Sequence, residues 1–266
     1  MLYFVATPIG NLKDISYRAV EVLNSVDEIA CEDTRHSITL LSAYGIKKPL
    51  FSYHKYNERE ECEKIINKLK DGKNIAVISD AGMPVISDPG NILAAALIEK
   101  GLDFTVIPGA NAALSALVLS GFNASNFCFI GFLPAKKSDR ESLLAKYTNI
   151  PATLILYSAP HDVQKDIESL YAAFGERSAA AVKEITKIHE RVEFFNLKDG
   201  ICGEPKGEYV LIVEGAKENA EFQELTEEEH VKKYIDGGMD KKDAIKRVAK
   251  ERGVSKSSLY KYTIEK

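Results

Sequence analysis

Residues 74–90, NIAVISDAGMPVISDPG, join a short apolar run to a turn that carries two aspartates, two glycines and two prolines. Prolines fix the backbone, glycines permit tight turns and close approach, and the two acids cannot enter an apolar core without partners. A simple connection from a strand to a helix needs none of these. The composition therefore predicts a binding site at the end of a buried strand.

Similar apolar runs alternate with helical patterns on both sides of this turn. Before residue 120 the runs are LYFVAT, EIACE, LFSY, NIAVIS and FTVIP, and segments with helical periodicity lie between them. Strands that alternate with helices at this spacing predict a mostly parallel sheet covered by helices. Residues 1–120 are therefore expected to form one α/β domain.

A second series of strands begins at NFCFIGFLP and continues through TLILYS, SAAAVKEI and EYVLIVEG. Some of these runs are joined by short connections, which favours antiparallel pairing in part of the sheet. We expect a second α/β domain with a mixed sheet at 121–217. Residues 218–266 are expected to form a tail, with an acidic linker at 218–229 and two short helices after it.

Composition describes an ordinary soluble protein, with 45% hydrophobic and 28% charged residues among 266. No apolar run approaches the roughly 20 residues that span a bilayer, and residues 2–6 lack the basic flank of a signal peptide, so we expect a cytoplasmic protein. The four cysteines form no C-x-x-C pair, and no two of the five histidines are spaced i,i+4. We therefore expect no metal site.

Charge is distributed unevenly along the chain. The net charge is −4, but residues 241–266 hold nine basic and three acidic residues, so this segment carries +6 and the remainder −10. A protein that simply coats nucleic acid is usually strongly basic throughout. The pattern predicts that any nucleic-acid contact involves the basic tail.

Three loops of unusual composition follow predicted strands: ATPIGNLKD, SDAGMPVISDPG and PGANAA. In open α/β sheets ligands bind beyond the carboxyl ends of the strands. None of the loops is a G-x-G-x-x-G or a G-x-x-x-x-G-K-[ST] phosphate cradle. Any one of them could be a mere connection, but together they predict one shared ligand.

These loops carry a family resemblance. ATPIGNLKDIS, CEDTRHS, SYHKYNE, SDAGMPVISDPG, PGANAALSAL, FIGFLPAKKSDR and EITKIHE resemble, in order and spacing, the small-subunit ribosomal RNA cytidine 2'-O-methyltransferases of the tetrapyrrole (corrin/porphyrin) methylase superfamily. The resemblance covers the whole chain. It implies a two-domain α/β methylase, usually a homodimer, that binds S-adenosylmethionine in the cleft between its domains.

Carried onto this chain, the resemblance implies a set of cofactor-binding residues: Pro8, Asp80, Ala81, Gly82, Val85, Ile86, Asn111, Ala112, Tyr157 and Ser158. The chain departs from the family at Met83, where threonine is common, and at YSAPHD (residues 157–162), where Y-E-S-P-H-R is more usual. The second change removes a glutamate and an arginine. It therefore argues against a catalytic role for that segment.

Methyl transfer to a ribose hydroxyl requires alignment and is helped by a base, because a protonated hydroxyl is a poor nucleophile. The candidate catalytic residues lie in CEDTRHS, SYHKYNE and EITKIHE, and they are Glu32, Asp33, Arg35, His54, Glu184 and Lys187. Each motif has a structural alternative. Asp33 could cap a helix and pair with Arg35, His54 could stand at a helix start, and EITKIHE could be an exposed edge strand.

Basic residues in PAKKSDR and in the tail are the candidates for contact with RNA phosphates: Lys136, Lys137, Arg140, Lys246, Arg247, Arg252 and Lys256, with Lys261 also available. Tyr260 and Tyr262 could stack on exposed bases. The alternative is that the tail helices are simply solvated or pack on a neighbouring domain.

The sequence thus predicts S-adenosylmethionine-dependent 2'-O-methylation of a cytidine in small-subunit (16S) ribosomal RNA. One alternative is a methylase of tetrapyrroles such as uroporphyrinogen or precorrin, which would give no reason for the basic tail. Another is a non-catalytic ribosome-binding factor on the same fold. The residues at the departures from the family, Met83, Ser158 and Asp162, leave that alternative open.

Overall fold

The computed structural model describes residues 1–216, 225–252 and 254–260. Its contacts divide the chain into two compact units, Met1–Gly215 and Ala216–Lys266. The first unit contains two five-stranded sheets, and the described residues of the second form helices and their connections. No helix among the described residues is long and apolar enough to span a membrane.

The N-terminal sheet is entirely parallel, as the alternating pattern predicts. Its strands are β1 (Leu2–Val5), β2 (Glu28–Cys31), β3 (Leu50–Ser52), β4 (Ile75–Ile78) and β5 (Phe104–Ile107), in the order β3-β2-β4-β1-β5. The helices that alternate with them are α1 (Tyr17–Ser25), α2 (Thr34–Ala43), α3 (Glu58–Lys70) and α4 (Asn91–Glu99).

This sheet is covered on both faces. One face packs against Ile65 and Leu93, from α3 and α4, and the other against Leu23 and Leu41, from α1 and α2. Every residue of the central strand β4 is consequently buried, which explains its unbroken apolar sequence. All five strands run in the same direction, so the loops that follow them lie at one edge of the sheet.

The C-terminal sheet is mixed, also as expected. Its strands are β6 (Phe127–Phe132), β7 (Thr153–Ser158), β8 (Ser178–Lys183), β9 (Arg191–Asn196) and β10 (Tyr209–Val213), in the order β6-β7-β10-β8-β9. Only β6 and β7 pair in parallel. The edge strand β9 was not among the strands expected from the sequence, and it forms an antiparallel pair with β8.

Three helices complete the first unit: α5 (Ala112–Ser120), α6 (Lys137–Ala145) and α7 (Val163–Phe174). Ala113, Ala116 and Leu117 of α5 pack on Ile155 and Ile212 of the C-terminal sheet. Helix α5 therefore follows the last strand of one sheet and covers the other. We propose 1–120 and 121–217 as the two α/β domains, with α5 as the packing link between them.

The tail unit has its own small core, formed by Val231, Ile245, Val248, Ala249 and Leu259. Its helices are α8 (Glu227–Asp236), α9 (Lys241–Arg252) and α10 (Lys256–Leu259). The sequence analysis expected a linker up to residue 229 and two helices after it. It missed helix α8, which begins at Glu227. Thr226 and Glu229 form a capping box that starts α8 inside the acidic segment.

Candidate functional site

The three loops singled out in the sequence meet at the carboxyl edge of the N-terminal sheet. The backbone N–H of Thr7 donates to the carbonyl of Gly82 at 2.8 Å, and the N–H of Gly82 donates back at 3.1 Å. Gly109 lies so close to Ala6 that a Cβ on Gly109 would stand 2.9 Å from the Ala6 methyl carbon. Glycine is therefore required where the first and fifth loops touch.

Beside these loops lies a cleft of about 380 Å³ that the C-terminal domain closes from the other side. Its volume lies in the range of roughly 300–1,000 Å³ that is usual for small-molecule sites. The N-terminal domain contributes Ile9, Asp80, Ala81, Gly82, Met83, Ile86, Ser87, Asp88, Asn111 and Ala112. The C-terminal domain contributes Phe132, Tyr157, Ser158, Ala159, Pro160, Ile185, Glu208, Tyr209 and Val210.

Most of the residues expected to bind a cofactor line this cleft: Asp80, Ala81, Gly82, Ile86, Asn111, Ala112, Tyr157 and Ser158. Pro8 and Val85 do not. Pro8 is part of the first loop, and its side chain is buried. Val85 has a φ of 76°, and its side chain packs against the core of the N-terminal domain.

The loop after β4 holds two non-glycine residues in the left-handed region, Val85 at φ 76° and Ser87 at φ 67°. This conformation is rare for a β-branched residue, and such strain tends to persist at functional sites. Ile86, Ser87 and Asp88, which follow Val85, all line the cleft. The strained segment thus presents apolar, hydroxyl and acidic side chains to the cleft.

Contacts on both sides hold this loop in place. The carboxylate of Glu58 accepts hydrogen bonds from the N–H groups of Gly90 and Ile92, at 2.7 and 3.2 Å, and so caps α4. On the other side, a Cβ on Gly131 would stand 3.1 Å from the Ser87 hydroxyl oxygen. The bulge at Gly131 in β6 therefore lets the C-terminal domain touch the loop.

Carboxylates dominate the charge of the cleft. Burial, with smaller contributions from Glu32 and Asp80, raises the pKa of Asp88 to about 6. Burial and Asp80 raise the pKa of Glu32, against an opposing effect of His54. None of the described residues that line the cleft is a lysine, arginine or histidine. The described residues also contain no group of three or more His, Cys, Asp or Glu side chains placed to hold a metal ion.

The expected catalytic residues after β2 divide into two kinds. Asp33 caps α2 by accepting from the N–H of Arg35 at 2.8 Å, and its carboxylate pairs with the Arg35 guanidinium at 3.0 Å. These hydrogen bonds lower the pKa of Asp33 to about 2. Asp33 and Arg35 therefore have the structural roles considered above, a helix cap and an ion pair. The Arg35 side chain is 89% exposed. Glu32 is half-buried and is electrostatically coupled to Asp80 and His54.

The motif after β3 contains Asn57, which has a structural role, and His54, whose Nδ1 has no hydrogen-bond partner among the described residues. Asn57 accepts from the N–H of His54 at 2.7 Å and donates to the carbonyl of Ser52 at 3.0 Å, so it shapes the turn before α3. Nδ1 of His54 is buried and meets no hydrogen-bond partner among the described residues. His54 thus remains a candidate to act beside Glu32.

The motif EITKIHE is not an extended strand, because β8 ends at Lys183 and residues 184–190 turn. The Lys187 ammonium pairs with Glu184 at 3.1 Å and with Glu208 at 2.7 Å. Its aliphatic part lies on Gly10 of the first loop, where a Cβ would stand 2.5 Å from Cγ of Lys187. Lys187 therefore joins the two sides of the cleft, and Glu184 holds its ammonium in place, roles that differ from proton transfer.

The expected RNA-contact residues of PAKKSDR are placed differently from one another. Lys136 and Lys137 are exposed at the start of α6. Arg140 is only 5% exposed, and its guanidinium donates to the carbonyls of Pro134 and Ala135 at 3.2 and 3.3 Å. Arg140 thus differs from the two lysines, because its guanidinium already binds the backbone, and its contact with RNA stays a prediction.

In the tail unit, Lys246 and Lys256 are exposed. Arg247 pairs with Glu251 at 3.1 Å. Nε of Arg252 donates to Nδ1 of the buried His230 at 2.9 Å, so this arginine supports the tail core. Tyr260 is about half exposed, whereas Lys261 and Tyr262 lie outside the described residues.

Sequence reasoning missed several cleft residues. Asp88 lies in the turn quoted at the start of the sequence analysis, and the composition of that turn could have identified it as a site residue. Tyr209 begins β10 and Glu208 precedes it, and both become part of the cleft only through the pairing of β10 with β7 and β8. No local pattern could have identified those two.

The fold and the cleft place the chain in a known structural class. It is similar to uroporphyrin-III-C-methyltransferase from Thermus thermophilus, at 21% identity over 79% of this chain and 93% of that one, with a TM-score of 0.57. It is similar also to the methyltransferase CobJ, at 17% identity over 81% and 94%, with a TM-score of 0.62. The family model for tetrapyrrole (corrin/porphyrin) methylases matches residues 1–199. The chain therefore belongs to the tetrapyrrole methylase family.

Relatives with higher sequence identity indicate a particular group within this family. Ribosomal RNA small subunit methyltransferase I of Halalkalibacterium halodurans is 41% identical over 97% of this chain and 93% of its own length. The protein of the same name from Pasteurella multocida is 43% identical over 100% and 97%. Similarity over nearly the whole length of both chains confirms the resemblance drawn from the motifs.

Proposed function

We propose that the protein uses S-adenosylmethionine to methylate the 2'-hydroxyl of a cytidine in small-subunit (16S) ribosomal RNA. The observation that carries the proposal is the interdomain cleft, whose titratable lining is carboxylate and phenol only among the described residues. The near full-length similarity to ribosomal RNA small subunit methyltransferase I supports RNA as the substrate.

The cleft suits this cofactor in volume, charge and shape. When bound, S-adenosylmethionine supplies an activated methyl group on a positively charged sulfonium. Asp80 and Asp88 would favour its positive charge, and Gly82, at φ 81° beside Ile9, leaves the wall open for close approach. Asn111 caps α5 by accepting from the N–H of Leu114 at 3.0 Å, so this helix directs a positive dipole end at the cleft.

The loop after β2 would contact the group that accepts the methyl. Strand β2 pairs with β4, so Glu32 follows the strand adjacent to the one that carries Asp80. Glu32 would accept the proton of the ribose hydroxyl, and its raised pKa brings it closer to the neutral range in which a general base works best. His54 lies within electrostatic reach of Glu32 and would orient the carboxylate. Holding donor and acceptor in line supplies much of the remaining rate enhancement.

The proposal includes the setting of the enzyme. We propose a cytoplasmic homodimer that acts without a metal on the small subunit or its RNA. Sedimentation of the purified chain measures the oligomeric state directly, and a monomer at micromolar concentration would contradict this part. The methyl-transfer proposal does not depend on that result.

A transfer assay tests the function. Purified protein, labelled S-adenosylmethionine and small subunits from cells that lack the modification should yield label on the 2'-oxygen of one cytidine. Label found only on uroporphyrinogen offered in parallel would make the protein a tetrapyrrole methylase. Cofactor absent from calorimetric titrations, together with retained binding to the subunit, would identify a non-catalytic ribosome-binding factor.

A further inference from the structure

At the carboxyl edge of the N-terminal sheet, the loops proposed to bind the methyl donor lie to one side of the loops after β2 and β3. The loops of β4, β1 and β5 line the cleft, while the loops of β2 and β3 lie beyond them in the order β3-β2-β4-β1-β5. Tyr17 and Arg18 begin α1 directly after the first loop. A substrate whose reactive group reaches Glu32 must therefore cross the outer part of this edge.

Two tyrosines here are almost completely exposed. Tyr56, in the turn after β3, is 95% exposed, and Tyr17 is 93% exposed. Tyrosine side chains are usually at least partly buried, so two fully exposed rings at the carboxyl edge of the sheet are unusual. An exposed aromatic ring offers a face on which a nucleic-acid base can stack, whatever the base.

The turns that carry these tyrosines also carry exposed cations, in segments 11–18 and 53–61. Lys13, Arg18, Lys55 and Arg59 are exposed, and none of the four forms an ion pair with any described residue. Most of the carboxylates in these segments are engaged instead.

Each engaged acid has a protein partner. Asp33 pairs with Arg35 at 3.0 Å, and Asp14 accepts from the Thr186 hydroxyl at 2.5 Å. Glu58 accepts from Tyr53 and caps α4. Lys64 holds Glu60 and Glu61, each at 2.7 Å. The remaining acid is the half-buried Glu32. The four exposed cations therefore have no carboxylate partner in the described part of the protein and can bind phosphates.

We propose that these exposed side chains form an acceptor rim that binds single-stranded RNA on either side of the methylated nucleotide. The rim consists of Lys13, Tyr17, Arg18, Lys55, Tyr56 and Arg59. The cations neutralise phosphates, and the two tyrosines stack on flanking bases. This inference rests on the proposed function, because it identifies how the same site receives its RNA.

Single-stranded RNA fits the rim better than a duplex. The rim leads to a half-buried carboxylate, and a nucleotide must leave its stack to bring a ribose hydroxyl there. Sequence-specific proteins reach RNA mostly in such loops and unpaired segments, with bases spread on aromatic side chains. A duplex would leave the faces of both tyrosines unused.

The test uses two variants of equal charge change in the full-length protein. The rim variant is Lys55→Ala/Tyr56→Ala/Arg59→Ala. The control variant is Lys70→Ala/Lys100→Ala, which removes two exposed lysines at the far ends of α3 and α4. The measurements are anisotropy of a labelled 12-nucleotide RNA over a range of salt, KM for the small subunit, and calorimetric affinity for S-adenosylmethionine.

The rim variant should bind the RNA at least ~10-fold more weakly, since one lost stacking partner alone is worth about that much. Its salt slope should fall by about 0.7 for each lost phosphate contact. KM should rise in parallel while cofactor affinity stays unchanged. Tyr56→Phe should bind as the wild type does, because a phenyl ring still stacks.

Unchanged RNA affinity and KM in the rim variant, or an equal loss in the control variant, would overturn the rim. So would a wild-type protein that does not bind the RNA. If subunits are methylated normally by the rim variant, the rim is wrong and the proposed function stands. If the rim governs RNA binding but no subunit is labelled by the wild type, the rim stands and the proposed function fails.

Discussion

The backbone N–H of Asp33 donates to Oδ1 of Asp80 at 3.3 Å. This hydrogen bond joins the loop that carries the proposed base to the loop that is proposed to bind the methyl donor. Asp80 therefore has two tasks: one oxygen positions the β2 loop, and its charge faces the cleft. The two tasks can be separated by substitution.

We expect Asp80→Ala to weaken S-adenosylmethionine binding by about 10-fold or more, which corresponds to the loss of a charged hydrogen-bond acceptor. Asp80→Asn is the matched control, because it keeps an oxygen for the Asp33 N–H and loses only the charge. Calorimetry should place its affinity between wild type and alanine. Wild-type affinity in the alanine variant would remove Asp80 from the donor site.

Glu32→Gln should slow methyl transfer by about 10²- to 10⁴-fold, the usual contribution of a general base, with little change in cofactor affinity. Because the deprotonated carboxylate is the active form and its pKa is raised, the wild-type rate should fall as the pH is lowered. That decline should be absent in the variant. Single-turnover rates between pH 5 and 8 provide the measurement.

Asp33→Asn is the matched control for Glu32. Asparagine caps a helix about as well as aspartate does, so transfer should stay near the wild-type rate. A loss in Asp33→Asn as large as that in Glu32→Gln would mean that the whole β2 loop, rather than one carboxylate, governs the rate.

Asp88 should make stability depend on pH in a defined window. Its pKa in the folded protein is about 6, above the ordinary value of 3.8, so the folded state binds its proton more readily than the unfolded state. The resulting stabilisation is present below pH 3.8 and is lost as the pH rises through about 6. Asp88→Asn lacks it. The difference in melting temperature, wild type minus variant, should decline across that window, and parallel curves would show that Asp88 titrates normally.

The two kinds of basic residue in PAKKSDR should behave differently. Arg140→Met should lower the free energy of unfolding by about 1.5–3 kcal/mol, because hydrogen bonds from a buried charged donor are lost. Lys136→Ala/Lys137→Ala should leave the melting temperature within a degree or two. An Arg140→Met protein with wild-type stability would show that its contacts with Pro134 and Ala135 contribute little.

Much of the fold and the donor site could be predicted from the sequence, since both depend on local pattern. Apolar runs with helices between them predicted the parallel sheet, and the composition of residues 78–90 predicted a site. The Thr226 and Glu229 capping box was also a local signal, and it would have placed the start of α8 correctly.

Other features depend on backbone conformation and packing that the sequence pattern does not show. Nothing local shows that Val85 adopts a positive φ and turns into the core, or that the Arg140 guanidinium folds back onto its own loop. The pairing of β9 with β8 likewise depends on tertiary structure, because an exposed edge strand has a weak alternating pattern.

The arrangement of the N-terminal sheet assigns the two partners of the reaction to different strands. In the proposed function, the loops after β4, β1 and β5 would hold the methyl donor, and the loops after β2 and β3, at the other side of the sheet, would face whatever is to be methylated. Mutations in the outer turns can alter the recipient while the inner turns are preserved. A scaffold organised in this way can acquire new substrates over evolution without having to reinvent its chemistry.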